Sequence, residues 1–247
     1  MENLRFSKYP GNHLAWCQKF KRISEQLCFP LAVGFCQHKS FILLGIILVS
    51  GVICKMPLKI VVIYGSVRTQ RQGIKAARFI VNKLKERTHE VTLIDPLEFK
   101  LPLLDKRYMD YKPGTAPENI EKVAQILKNS DCFVIISGEY NHSIPPALKN
   151  ILDHYYNEYL FKPAAIATYS AGPFGGVRAG VQLRAILGEL RMVTIPTMFP
   201  ISMVQDAFDE NGNAIEKEYD KRVVKFLDEF EWYANALKEA REKVLPY

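Results

Sequence analysis

Five apolar runs separated by stretches of helical spacing constrain this chain more than any other feature in it. They are KIVVIYG (59–65), HEVTLID (89–95), CFVIISG (132–138), AAIATYS (164–170) and residues 191–197. A short, nearly continuous apolar run is the pattern of a strand buried on both faces. Between the runs lie expected helices. The first covers 73–87, with Ala76, Ala77, Ile80, Val81 and Leu84 at helical spacing. Another covers 117–129, with Pro117 near the first helical position, where its missing N–H costs nothing. A third follows Pro145 and Pro146 and runs to about residue 159, a fourth covers 177–190 after Gly175-Gly176, and a long last one covers 215–240. The proline-punctuated stretch from 96 to Pro113-Gly114 reads as loop or short turns. Strands alternating with helices in this way imply an α/β fold with a parallel sheet covered on both faces. Periodicity does not set the strand order.

Composition matters for what it excludes. The chain has 247 residues, 48% hydrophobic, and a formal charge of +7. Seven of the 33 basic residues but only two of the 26 acidic ones lie within residues 1–56, so residues 57–247 carry a net charge of only +2. A nucleic-acid partner would want more positive charge than that, and none is expected. Cys17, Cys28, Cys36 and Cys54 also fall in the first segment, against Cys132 alone in the rest. With no C-x-x-C spacing, a reduced intracellular compartment, the cytoplasm, suits the main domain.

Residues 1–56 read as an extension to a single domain at 57–247. Residues 41–54, FILLGIILVSGVIC, are free of charge, but a spanning helix needs about 20 apolar residues. The basic stretch before this run is too long for a signal peptide. Two readings stay open: membrane association through 41–54, or a segment outside the functional protein, whose chain proper would begin at Met56.

In an open parallel sheet the ligand lies at the carboxyl ends of the strands, where the order reverses. The loop after the first run, Gly65-Ser66-Val67-Arg68-Thr69-Gln70-Arg71-Gln72-Gly73, offers hydroxyls, two arginines and the amides of a helix start, all suited to an anion. It lacks both G-x-G-x-x-G and G-x-x-x-x-G-K-[ST], which favours a monophosphate over a pyrophosphate; a polar loop with solvated arginines is the alternative. The loop after the third run, Gly138 to Asn150, sets Glu139, Tyr140 and Asn141 beside His142, Ser143 and two prolines. It could border a planar heterocycle, or simply let Ser143 cap a helix while Tyr140 packs. The loop after the fourth run, Ser170 to Arg178, has Gly172, Gly175 and Gly176, which allow close backbone approach to a flat ligand or a tight turn.

Together the three loops resemble the NADPH-dependent FMN reductase family, which includes quinone and azo-dye reductases of the flavodoxin-like fold. The resemblance is carried by Gly65-Ser66-x-Arg68, by Glu139-Tyr140-Asn141 through Ser143, Pro145 and Leu148-Lys149-Asn150 to Asp153, and by Gly172-x-x-Gly175-Gly176-x-Arg178-Ala179. It covers roughly residues 58–200 and implies a flavodoxin-like three-layer sandwich with a five-stranded parallel sheet. It also implies that Ser66, Arg68 and the residues after them hold an FMN phosphate, with Arg71 a further candidate. Glu139, Tyr140 and Asn141 would contact the flavin ring, and Ser170, Gly172, Gly175 and Gly176 would close its other side. Where many relatives have Ser-x-Asn after the arginine, this chain has Gln70-Arg71-Gln72-Gly73.

The activity so implied is hydride transfer from NADPH or NADH through FMN to a small acceptor such as a quinone, free flavin, azo compound or metal oxyanion, with ping-pong kinetics. No side chain is then required as nucleophile or base, because the flavin carries the chemistry. The alternative is a flavin-binding electron carrier or redox-sensing module acting on a protein partner; carriers of that kind are commonly acidic, unlike this domain. Hydrolase and metal chemistry find no G-x-S-x-G or H-E-x-x-H. His142 reads as a solvent-facing loop residue or an aid to quinone protonation, and His154 as structural or interfacial. Tyr155, Tyr156, Tyr159 and Phe161 form either core or the interface of a homodimer or dimer of dimers.

Overall fold

The computed structural model describes residues 57–246. The sequence readings of residues 1–56, including the apolar run 41–54, lie outside the described residues. Five strands form one sheet: β1 Lys59–Tyr64, β2 Glu90–Ile94, β3 Cys132–Gly138, β4 Pro163–Tyr169 and β5 Val193–Ile201. All neighbours are parallel, in the order β2-β1-β3-β4-β5. This is the flavodoxin-like order, with its reversal between β1 and β3.

Alternation along β1 shows why three layers form. Ile60, Val62 and Tyr64 face one way, into a core shared with Ala76, Phe79 and Ile80 of helix α1 (Gly73–Glu86) and with Val223, Phe226 and Phe230 of helix α7 (Lys217–Lys243). Val61 and Ile63 face the other way. They meet Val123 and Leu127 of α3 (Glu118–Lys128), Leu148 and Leu152 of α4 (Pro146–Asp153), and Leu183 and Leu187 of α5 (Val177–Glu189). Each buried aliphatic or aromatic side chain contributes roughly 1.5–3 kcal/mol relative to exposure. The inner strands β3 and β4 are buried at every position, which is why their sequences show no alternation.

Two elements differ from the sequence reading. Strand β5 was expected to stop at 197 but continues to Ile201 through Pro196 and Pro200. As an edge strand it tolerates proline, and its register against β4 skips between Ala164↔Thr194 and Ile166↔Met198, so Pro196 falls in the irregularity. Helix α4, expected to reach 159, ends at Asp153, where the His154 carbonyl accepts the Tyr108 N–H instead of a helical donor. Residues Asn157–Tyr159 form a separate 3₁₀ turn. Tyr155 and Tyr159 are core, while Tyr156 and Phe161 are partly exposed. His154 is buried, with Nδ1 2.7 Å from the Asn150 carbonyl. The stretch after β2 holds two short helices besides loop: α2 (Pro96–Phe99) and a 3₁₀ turn at Tyr108–Asp110. A further short helix, α6 (Val204–Ala207), follows β5. No helix among the described residues is long and apolar enough to cross a membrane.

The amino ends of the strands are tied by an ionic cluster. Leu58 N–H donates to His89 Nδ1 at 3.2 Å, which leaves Nε2 as the donor to Glu231 at 3.2 Å. Arg87 donates to the same Glu231 oxygen at 2.8 Å. Burial alone would raise the Glu231 pKa, but the hydrogen bonds from His89 and Arg87 hold it down to about 2. The contribution is therefore complete above the ordinary glutamate range and is lost as pH falls from about 4.5 toward 2. Acidification from pH 6 to pH 3 should remove on the order of 1–2 kcal/mol through this group. Urea unfolding at the two pH values should show that loss shrinking in Glu231→Gln.

Candidate functional site

The reversal between β1 and β3 leaves a crevice at their carboxyl ends, and the loops after β1 and β3 flank it. Gly65 ends β1 because a Cβ there would lie 2.4 Å from Leu148 Cβ, so only glycine lets α4 start this close to the sheet. Ser66 follows, buried, with Oγ 3.3 Å from the Tyr140 hydroxyl and accepting the Arg68 N–H at 3.4 Å. The Arg68 side chain is exposed, its guanidinium 5.9 Å from the Tyr140 ring centroid. Helix α1 begins at Gly73 with no side-chain cap from Gln72 and no acidic residue in its first turn. Its N–H groups and the positive end of its dipole are thus left for an anion.

Arg71, expected at a phosphate, is engaged elsewhere. Its Nη atoms each reach an Asp95 oxygen at 2.5 Å, and Nη1 also donates to the Ser66 carbonyl at 3.0 Å. Asp95 is buried and also caps α2 by accepting Leu97 N–H. The hydrogen bonds to Asp95 raise the Arg71 pKa further, so the guanidinium keeps its charge at any working pH. Arg71 therefore braces the loop from below, and Arg68 is left facing solvent.

Outside the loop lies a surface cleft of about 630 Å³ whose walls include Arg68, Arg71, Lys75, Arg78 and Glu210. Lys75 Nζ meets a Glu210 carboxylate oxygen at 2.8 Å, and Arg78 donates to the Glu210 carbonyl at 2.6 Å. The sequence analysis singled out neither Lys75 nor Arg78. Their spacing from Arg71, four and seven residues on, was the available signal for a basic stripe on one helix face.

The loop after β3 is a tight turn. Tyr140 and Ser143 exchange both backbone hydrogen bonds at 2.9 Å, with Asn141 and His142 between them at φ 49° and 67°. That is the mirror-image turn in which asparagine is favoured. His142 is exposed, its carbonyl accepting from Gln182 of α5 at 2.9 Å. Ser143 does not cap α4; its hydroxyl donates to Gln182 Oε1 at 2.7 Å. Gln182 clasps the turn to α5, a role the sequence analysis did not find.

Glu139 makes a second clasp. Its Oε2 accepts the backbone N–H groups of Arg178 and Ala179 at 3.0 and 3.2 Å, so a carboxylate from the β3 loop caps α5. The loops after β3 and β4 are joined there. Ser170 donates to the Gly172 carbonyl at 2.9 Å. Gly175 and Gly176 have φ of 61° and 75°, and the strand-to-helix turn closes so tightly that a Cβ on Gly176 would sit 2.7 Å from the Tyr169 carbonyl oxygen. Nothing lies within 4 Å of the Cβ position of Gly172, so that backbone edge is open to a flat ligand.

The residues singled out from the sequence fall on the three loops at the carboxyl ends of β1, β3 and β4. Ser66, Arg68 and Tyr140 meet beside the loop that leads into α1, Glu139 ties the β3 turn to Arg178 and Ala179 just after Gly175 and Gly176, and Asn141 stands at the tip of that turn. Among the described residues no group of three His, Cys, Asp or Glu side chains could hold a metal ion. The donor set is backbone amides, hydroxyls and one free guanidinium, which fits a phosphorylated planar cofactor.

Comparisons with known proteins agree. Residues 58–206 match the family model described as NADPH-dependent FMN reductase. The NAD(P)H-dependent FMN reductase ntnL of Nectria sp. is 29% identical over 74% of this chain and 96% of its own length. The 2-hydroxy-1,4-benzoquinone reductase of a Burkholderia species is 27% identical over 71% of this chain and 95% of its own. Among solved structures, the flavoenzyme NAD(P)H:(acceptor) oxidoreductase FerB of Paracoccus denitrificans superposes with a TM-score of 0.58 at 26% identity, covering 72% of this chain and 97% of that one.

Proposed function

The chain belongs to the NADPH-dependent FMN reductase family, and from that premise we propose how its own residues serve an FMN-dependent NAD(P)H oxidoreductase. The observation that carries the assignment is the uncapped start of α1 beside Ser66 and Arg68, at the sheet's point of reversal. There the N–H groups, the Ser66 hydroxyl and the Arg68 guanidinium take the FMN phosphate, while Arg71 holds the loop through Asp95. The β3 turn, through Tyr140 and Asn141, borders the ring on one side. Ser170, Gly172, Gly175 and Gly176 border it on the other, and Glu139 fixes the distance between the two by capping α5.

Bound FMN supplies hydride transfer between a nicotinamide and an acceptor. The chain's residues bind, orient and shield. No side chain among these residues has the pairing of a nucleophile with a base, and His142 lies on an exposed turn. Quinones are the acceptor class we favour, with free flavin and azo compounds as further candidates; the benzoquinone activity in the name of the Burkholderia relative supports that order. We further read the protein as cytoplasmic and as a homodimer or dimer of dimers.

If one open flavin face serves donor and acceptor in turn, initial rates of the FMN-loaded protein with NADPH and a benzoquinone give parallel double-reciprocal lines. Intersecting lines would show both substrates bound together and remove the single-face scheme. Arg68→Ala, which deletes one charge-assisted contact, should weaken FMN binding at least tenfold by fluorescence titration. An unchanged affinity would place the phosphate elsewhere.

A further inference from the structure

The four cations of the cleft beside the phosphate loop are not alike. Arg71 is paired with Asp95 and Lys75 with Glu210, whereas Arg68 and Arg78 have no carboxylate within ion-pair distance among the described residues. Arg68 is assigned above to the FMN phosphate, which leaves Arg78 as a guanidinium whose charge nothing offsets. It is exposed, and its bond to the Glu210 carbonyl at 2.6 Å orients it without neutralising it. Lys75 stands one turn before Arg78 on the same face of α1, so both cations converge on Glu210. Glu210 itself is held in place. It sits on the turn 209–213, where the Asp209 carboxylate accepts the N–H groups of Asn211 and Asn213 at 2.9 and 2.8 Å. Asn82 of α1 donates to the Asn211 carbonyl at 3.0 Å, and Gly212, at φ 83°, packs so closely that a Cβ there would lie 2.5 Å from the Phe79 nitrogen. The turn is thus fastened to α1, while the Glu210 side chain stays 76% exposed. Past Arg78 and Glu210 a second hollow of about 470 Å³ continues along α1, with Val81, Asn82 and Leu93 among its walls.

In dinucleotide sites generally, an acidic side chain accepts a hydrogen bond from the adenosine 2′-hydroxyl of NADH, and an arginine accommodates the 2′-phosphate of NADPH. This cleft has both kinds of group on one residue pair. We propose that it holds the adenosine half of the nicotinamide donor, with Arg78 and Lys75 on the 2′-phosphate of NADPH and Glu210 on the 2′-hydroxyl of NADH. The cleft is walled by the phosphate loop and by no residue of the β3 or β4 loops, so it leaves the borders of the flavin ring free for the nicotinamide end. The second hollow, with its mixed apolar and amide lining, suits the base beyond the ribose. A carboxylate has lone pairs enough to keep Lys75 while accepting from a hydroxyl, but it opposes a phosphate. Donor choice is then a balance of Arg78 against Glu210. The inference rests on the function proposed above and deepens it by naming the residues that choose the donor.

The test uses the FMN-loaded full chain and two readouts: titration calorimetry with 2′,5′-ADP and with 5′-AMP, and kcat/KM for NADPH and for NADH with a benzoquinone as acceptor. The wild type should bind 2′,5′-ADP about tenfold more tightly than 5′-AMP, the yield of one charge-assisted contact. Arg78→Met should abolish that difference and lower the NADPH-to-NADH ratio of kcat/KM about tenfold. Glu210→Gln keeps the carbonyl that orients Arg78 and removes only the charge, so it should move the ratio the other way, about threefold toward NADPH. Opposite shifts from two residues in contact are not produced by a brace between a turn and a helix. An unchanged ratio in Arg78→Met overturns the inference, as does an equal loss for both donors, which marks a structural role only. Should Arg78→Met fail to fold, Glu210→Gln decides alone, and an unmoved ratio there overturns it. Equal binding of 2′,5′-ADP and 5′-AMP by the wild type also overturns it, since the cleft then serves an adenylate without reading the 2′ position, as the AMP half of FAD would require. A wild type that takes up no FMN fails at the earlier step, the proposed function, and takes the inference with it.

Discussion

Gly176→Ala should destabilise the protein by about 3 kcal/mol and leave it without bound flavin. The backbone at this residue has φ +75°, a left-handed conformation that costs a residue with a Cβ roughly 1–2 kcal/mol. The added carbon would also lie 2.7 Å from the Tyr169 carbonyl oxygen, a backbone atom with no freedom to retreat because Tyr169 is paired with Gly138 and Ile201 in the sheet. Relief requires α5 to lift from its start, which breaks the Glu139 cap on Arg178 and Ala179 and moves both borders of the site together. Urea unfolding gives the stability loss, and absorbance of the purified protein gives flavin content. Wild-type stability with full flavin content would mean that the turn relaxes in a way this geometry does not allow.

The Arg71–Asp95 pair should show the second large effect. Arg71→Met removes the partner of a buried carboxylate and should cost about 2 kcal/mol. This is less than the roughly 3–5 kcal/mol of a fully buried pair, because the Arg71 side chain is 17% exposed. The cost is mainly that of an unpaired charge, so Asp95→Asn introduced into the Arg71→Met chain should recover most of it. Asparagine can still accept the Leu97 N–H that Asp95 now accepts, so α2 keeps its cap. Chemical denaturation of the two single variants and the double variant checks this through the non-additivity. Additive losses would show that the two side chains are not coupled and that the cost does not come from an unpaired charge.

What the sequence disclosed and what it hid follow from different physics. The strand runs were legible because β1, β3 and β4 are buried on both faces beyond the exposed Lys59 that opens β1, and carry no charged residue there. The strand order was not, since order depends on which faces the helices cover, and α1 and α7 share one face by contacts far apart in the chain. The end of β5 was hidden because proline argues against a strand in general and only an edge position excuses Pro196 and Pro200. The three site loops were legible as a set because glycines, hydroxyls and arginines at strand ends have few other reasons to recur there. Their internal pairings were not. The sequence analysis kept Arg71 as a phosphate candidate because nothing local reveals that Asp95, on another loop, is within reach. Glu139 was expected against the flavin ring, and its carboxylate instead caps a helix that starts 38 residues later at Val177. Gln182 was passed over because a glutamine on an amphipathic helix normally faces water. Tyr64 and Tyr169 were read only as apolar strand residues, and the hydroxyl contact between them exists because Gly138 leaves room for a ring to cross a strand.

The most direct test of the account is an absorbance spectrum of the purified full chain, supplemented with FMN and freed of excess, recorded anaerobically before and after NADPH. The account predicts the visible bands of a bound oxidised flavin that bleach on NADPH addition and return when a benzoquinone is added. A protein that takes up no FMN, or whose bound flavin keeps its bands in the presence of NADPH, would contradict it.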